Sequence, residues 1–306
     1  MNYTKKKLSN GTRVILAPNQ GTQTVTVQIL VEAGSKYENS KNNGISHFLE
    51  HMIFKGTKKR PTAKMIAEEL DGVGGEFNAF TGKEQTGYWV KVPCKHFEMA
   101  LDVVSDIYLN STFKEKEIEK ERGVILQEMA MYRDIPMRYI WDVFENLFYG
   151  NQPAGMDIIG TTENINAFQR KDFVDYLNKF YTPQSTVVVV SGNFDQTKAL
   201  KEIEEKFGQK KTSKKIDKLK TTDTQKKYQL RIHHKETDQT HLLMGFKSVD
   251  MFSEKRFAIN LLATVLGGGM SSRMFEEIRE KRGLSYYVNA GSDEATDSGY
   301  FFVGAG

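Results

Sequence analysis

The chain has 306 residues, 39% hydrophobic and 27% charged, and its 43 basic and 39 acidic side chains leave a net charge of +4. That is an ordinary globular balance, without the basic stripe and interleaved aromatics of a nucleic-acid binder. One cysteine, Cys94, excludes an internal disulfide and a Cys-rich zinc site. No apolar run reaches the ~20 residues of a membrane span, and the opening MNYTKKKLSN has no apolar secretory segment. No nucleic-acid partner, no membrane partner and a cytoplasmic location are therefore the expectations.

A length beyond ~250 residues predicts two domains. In chain order, residues 12–16 (TRVIL) and 24–31 (TVTVQILV) are rich in β-branched side chains and flank a Pro18-Asn19-Gln20-Gly21 turn, which predicts two strands. Residues 44–54 (GISHFLEHMIF) turn apolar at helical spacing, with Ile45, Leu49, Met52 and Ile53 along one side. Pro61-Thr62 opens a second helix that runs through Leu70 and breaks at the glycines of 72–75. Residues 77–92 read as two strands around Thr81-Gly82-Lys83, and helices follow at 96–109, 114–132, 137–148 and 169–180. The run TVVVV at 186–190 is typical of a strand covered on both faces, and a helix ends at Phe207.

Residues 208–224 are polar and basic and predict a solvated linker between a site-bearing domain, 1–207, and a second domain, 225–306. The second domain repeats the order. Strands are expected at 229–233 and 242–246, a helix at 256–266, a glycine break at 267–269, a helix at 272–280, and strands at 286–290 and 299–303. GGEFNAFTGKEQTGYWVKV and GLSYYVNAGSDEATDSGYFFVGA share a glycine break and a strand pair, so the two α/β domains read as relatives. The sequence stops just after the last expected strand, which predicts a second domain that is truncated or completed by a partner.

The sharpest chemical signal is His47-Phe48-Leu49-Glu50-His51. At about 100° per residue, His51 lies about 40° round from His47 and Glu50 about 60° to the other side, so all three project within one arc. Two imidazoles four residues apart suit one zinc ion, and the adjacent carboxylate is placed to take a proton from attacking water. A third ligand is needed. The helix at 114–132 carries Glu121 and Glu128 on one stripe; Glu128, in the apolar context VILQEMAMY, is the expected ligand and Glu121 an orienting partner. Cobalt or manganese suits the same donors in vitro. Alternation puts His233 and His234 on opposite strand faces, a poor start for a second metal site.

HFLEHMIFKGT resembles the inverted zinc motif of the pitrilysin-type metallopeptidases, which include the mitochondrial processing peptidases and insulin-degrading enzymes. ERGVILQEM is similar to the segment holding that family's third ligand, at Glu128, and its partner carboxylate, at Glu121. GGEFNAFTGKEQTGYW looks like the strand that pairs with extended substrate, at Asn78, Ala79, Phe80 and Thr81, where Asn78 either contacts substrate or orients a zinc ligand. LGGGMSSRMFEEIREKRGLSYYV resembles the segment whose arginine and tyrosine reach the substrate, at Arg279 and Tyr286. YGNQPAGMDIIG departs from the family's histidine-proline form. The resemblance implies a clam-like chamber of two related domains, each a mainly antiparallel sheet with helices packed on it. It further implies one Zn2+ per chain and endopeptidase action on unstructured or small peptides. The closing half would come from a homodimer or a complementary family subunit. A non-catalytic structural or peptide-binding subunit is the alternative, although such members usually lose a site residue and here all four are present.

Overall fold

In the computed structural model, which describes residues 2–212, 214–223 and 225–306, the two strand-forming runs become β2 and β3 after a short first strand that the sequence does not announce. In order the elements are β1 (Thr4–Lys7), β2 (Arg13–Pro18), β3 (Thr24–Val31), α1 (Ile45–Ile53), α2 (Ala63–Asp71), β4 (Glu76–Thr81), β5 (Thr86–Pro93), α3 (Phe97–Asn110), α4 (Glu115–Asp134), α5 (Pro136–Tyr149), α6 (Thr162–Ala167), α7 (Arg170–Phe180), β6 (Thr186–Gly192), α8 (Gln196–Phe207), β7 (Leu242–Lys247), α9 (Arg256–Gly267), β8 (Val288–Glu294) and β9 (Gly299–Ala305). By contacts the chain divides into one unit of Met1–Leu126 with Ile158–Lys218 and another of Gln127–Asp157 with Leu219–Gly306. The boundary falls inside α4. Among the described residues no helix is long and apolar enough to cross a membrane.

The first unit is built on a six-stranded sheet of order β1-β2-β6-β3-β5-β4, antiparallel except for the β2–β6 pair. Period-two alternation explains its core: Val25, Val27, Ile29 and Val31 of β3 all point to one side and are buried. Helix α3 packs on β3 and β5 there and buries Leu101, Val104, Ile107 and Tyr108. Each such apolar side chain contributes about 1.5–3 kcal/mol. The expectation that β6 is covered on both faces is corrected. Val188 and Val190 are buried, whereas Val187 and Val189 are only half-buried. Val187 lies beside Arg13, and Val189 beside Gln28, so that face carries polar neighbours.

Helix α1 is positioned by its entry. Its first residues follow Gly44, which has φ +99°. A side chain at Gly44 would meet the Ile159 carbonyl at 2.8 Å and the Gly160 Cα at 2.9 Å, so only glycine allows this approach. The start of the helix is capped from outside. Glu38, buried, accepts from the Gly44 and Ser46 backbone N–H groups at 2.8 Å each and from the Asn43 amide at 3.0 Å. Burial pushes the Glu38 carboxyl up against these hydrogen bonds, which favour the ion. Lower down, the Phe48 ring meets Phe173 edge-on at 4.9 Å, and Ser46 pairs with the Tyr176 hydroxyl at 2.7 Å.

The second unit holds a three-stranded antiparallel sheet, β7-β9-β8, with α9 packed on β8 and α5 on β7. Trp141 meets Phe302 edge-on at 4.6 Å, and Phe144 meets Tyr300 at 5.1 Å. Gly245 admits the Phe144 ring, 2.2 Å from where a Cβ would stand. One expectation fails here, and another is met in a different helical form. Residues 229–233 form no strand, and Tyr228, Leu230 and Ile232 are exposed; a strand-forming composition without a neighbouring strand gains no ladder. The helix expected at 272–280 is a π-helical segment, Phe275–Glu280.

The 208–224 stretch is not simply solvated, although two of its positions, Ser213 and Thr224, lie outside the described residues. Lys215 pairs with Glu32 at 2.5 Å and Lys218 with Glu84 at 3.3 Å. The Lys210 ammonium sits 4.6 Å over the Tyr108 ring, and burial pulls its pKa down to about 8.

Two measurements check this account. Glu38→Ala leaves backbone donors at the start of α1 without their acceptor and should cost about 2–4 kcal/mol, read as a lower denaturant midpoint at unchanged slope. For Lys210, unfolding returns the amine to about 10.4, so between about 8 and 10 the unfolded chain binds more protons and stability rises with pH. Lys210→Met should therefore be more resistant to denaturant than wild type at pH 7, with the gap narrowing by about pH 10. A gap that is constant with pH would contradict the burial of a charged amine.

Candidate metal centre

The helical spacing of His47 and His51 puts both imidazoles on one side of α1, with ring centroids 4.7 Å apart at 63°. Ile45, Phe48, Leu49, Met52 and Ile53 occupy the buried side, which leaves the histidines half-buried at its margin. Glu128 comes from α4. That helix is anchored in the first unit by buried Ile118 and Ile125, and by the Arg122 guanidinium, which donates to the carbonyls of Ile165 and Phe168. Glu128 lies two residues past the unit boundary on the same continuous helix, so its place follows from the course of α4. One ligand atom from each of His47, His51 and Glu128 falls within 4.8 Å of the others. The Tyr132 hydroxyl, one turn on, donates to Glu128 Oε1 at 2.6 Å and holds that carboxylate by one oxygen.

Glu121, seven residues before Glu128 on the same stripe, lies 3.2 Å through Oε2 from His51 Nδ1. Its other oxygen pairs with Lys55 at 2.6 Å. Burial pushes this carboxyl up, but the hydrogen bonds from His51 and Lys55 outweigh it and hold Glu121 below the usual carboxylate value. A carboxylate accepting at Nδ1 leaves the imidazole's Nε2 lone pair for an ion. Glu50, beside His51, accepts from the Thr81 hydroxyl at 2.5 Å. Two imidazoles and one carboxylate converging this closely are a donor set that fits zinc with an open position.

Of the four strand residues expected to pair with substrate, Thr81 touches Glu50. All four lie on β4, an edge strand paired only with β5 among the described strands. Alternation turns Phe77, Ala79 and Thr81 to one side and the exposed Asn78 and Phe80 to the other. The Asn78 side-chain oxygen accepts from the Ala79 backbone at 2.8 Å. Arg279 and Tyr286 belong to the second unit and stack, with the guanidinium 5.2 Å from the exposed Tyr286 ring and 4.8 Å from that of Phe275.

Three contributors escape a reading of the sequence. Lys55 and Tyr132 each stand four residues after a proposed ligand, His51 and Glu128, so the spacing that flagged the ligands also pointed to them. Glu38 had no such signal, because its role depends on a loop that brings it back to the start of α1.

The comparisons with known proteins concern the family of the chain. The sequence matches the model of "Insulinase (Peptidase family M16)" over residues 13–162 and that of "Peptidase M16 inactive domain" over residues 167–306. It is 38% identical to an uncharacterized zinc protease of Bacillus subtilis, over 97% of this chain and 72% of that protein. An uncharacterized zinc protease of Rickettsia felis is 39% identical, over 99% and 73%. Among solved structures, a protease from Helicobacter pylori superposes with TM-score 0.92 at 23% identity, covering 100% of this chain and 74% of that one. The peptidase M16 inactive domain from Pseudomonas fluorescens gives 0.93 at 18% identity, over 100% and 74%; these two likenesses concern the fold alone. Consecutive family matches along the chain, and relatives at 38–39% identity, lead to one assignment: the chain belongs to peptidase family M16.

Proposed function

We propose that this chain is a zinc metalloendopeptidase that cleaves unstructured or small peptides, with one Zn2+ held by His47, His51 and Glu128 and with Glu50 as general base. The observation that carries this reading is the convergence of those three ligand atoms within 4.8 Å of one another, with the Glu50 carboxylate on the same helix. Bound there, zinc would supply Lewis-acid activation of water and of the scissile carbonyl. Glu50 takes the proton from the attacking water and delivers it to the leaving amine, and the Thr81 hydroxyl fixes the carboxylate for that exchange. The edge of β4 offers backbone N–H and C=O groups to an extended peptide, which favours substrates without stable structure. Arg279 and Tyr286 are proposed to contact the substrate carbonyl and the developing oxyanion.

A second reading has its own support. The description "inactive domain" attaches to residues 167–306, and among the described residues the metal-ligating group is the one at His47, His51 and Glu128. A chain that binds peptide or a complementary subunit without turnover is consistent with that description.

Hydrolysis of a quenched, unstructured peptide mixture, with and without chelator and with zinc content read alongside, separates the two. Chelator-sensitive cleavage at one zinc per chain supports the peptidase. Bound zinc without cleavage supports the binding subunit, and no zinc uptake overturns the peptidase reading. In the same assay Glu50→Gln should keep its zinc and lose about 10²–10⁴-fold in kcat. A Glu50→Gln rate near wild type would take Glu50 out of the chemistry. Glu128→Gln should lose metal as well as rate, shown by a weaker Kd in competition with a chelating indicator; unchanged zinc affinity would point to a different third ligand.

A further inference from the structure

Lys55 has no role in the proposed chemistry, yet the fold places it with care. It follows the last residue of α1 by two positions, and its backbone N–H donates to the Met52 carbonyl at 3.1 Å. The residue before it, Phe54, lies against the Phe77 ring of β4 at 5.7 Å. The residue after it, Gly56, has φ +135°, and a Cβ there would meet the Pro61 carbonyl at 2.6 Å. The backbone on both sides is thus fixed, and the side chain reaches Glu121 Oε1 at 2.6 Å. Lys55 and Glu121 side chains are 26% and 10% exposed, so this pair is partly withdrawn from water, unlike an ordinary surface ion pair.

The two oxygens of Glu121 are divided between two partners, Lys55 on one and His51 Nδ1 on the other. A glutamate carboxylate turns about a broad terminal torsion, so a single hydrogen bond from an imidazole leaves its plane loosely defined. A charged partner on the second oxygen fixes that plane and with it the acceptor presented to His51.

We propose that Lys55 is a positioning residue that acts through Glu121 on His51, holding the imidazole as the Nδ1–H tautomer with Nε2 turned to the ion position. The inference rests on the metal reading above for its consequence in zinc affinity, but its structural claim concerns the metal-free chain. The sign of the expected effect separates it from simple electrostatics. Removing a cation close to a dication site would tighten binding on Coulomb grounds alone, whereas loss of positioning weakens it.

The test uses the full chain with ¹⁵N-labelled histidine, and His51→Ala identifies the His51 resonances among the six histidines. In metal-free wild type and Lys55→Arg, at a pH where the imidazole is neutral, His51 should show the pattern of a single Nδ1–H tautomer. In Lys55→Met it should shift toward a mixture, and zinc affinity, from competition with a chelating indicator, should fall about 10–100-fold and be largely restored in Lys55→Arg. A Lys55→Met protein with an unchanged tautomer, or with unchanged or tighter zinc affinity, overturns the proposal. If Lys55→Met fails to fold, the wild-type spectrum decides: a His51 that is not the Nδ1–H form overturns it as well. Should wild type bind no zinc, the metal reading fails, and the tautomer comparison alone decides whether Lys55 positions His51.

Discussion

The buried Glu38 carboxylate at the start of α1 governs how the first unit presents its chemistry. Helix N-termini carry N–H groups with no partner in the helix, and here Gly44 contributes no side chain to satisfy them. Glu38 supplies the acceptor from a loop, while the mutual approach of Gly44 and Gly160 sets where the helix begins. The residues that α1 carries to the candidate centre inherit their place from that start. His47 and His51 project from α1, Glu50 reaches Thr81 from it, and Lys55 hangs from its far end.

Around the ligand set, polar partners are arranged by the same helical spacing that arranges the ligands. Lys55 and Tyr132 sit one turn beyond His51 and Glu128, and Glu121 sits two turns before Glu128. The result is a chain of contacts, Lys55 to Glu121 to His51 on one side and Tyr132 to Glu128 on the other. Second partners of this kind fix ring tautomers and carboxylate planes, which a bare set of ligands leaves free. The fold uses little else: one edge strand beside the site and one helix that carries the third ligand.

The second unit shows where local signals mislead. Residues 229–233 have the composition of a strand, but β7 pairs with β9 and no ladder forms with the earlier segment, so its apolar side chains are exposed. The basic stretch before it had the composition of a solvated connection, yet Lys210, Lys215 and Lys218 each find an aromatic or acidic partner in the first unit. Composition reports what a segment tolerates, and neighbours decide what it does.

The sequence alone determined that α1 is amphipathic and that its two histidines and glutamate share an arc, because a 3.6-residue period is a local property of the chain. It also determined the alternation of β3, whose four buried positions can be read directly from TVTVQILV. Glu128 was legible as a carboxylate in an apolar context on the same stripe as Glu121. Tertiary structure decided what depends on contacts distant in sequence. It brought Glu128 to the histidines 77 and 81 residues before it, placed Thr81 on Glu50, and folded Glu38 back on the helix start. It also decided that β6 is covered on one face, since that depends on which residues of β2 and β3 lie beside it. Those pairings are set by loop closure and packing over tens of residues, and no local pattern encodes them.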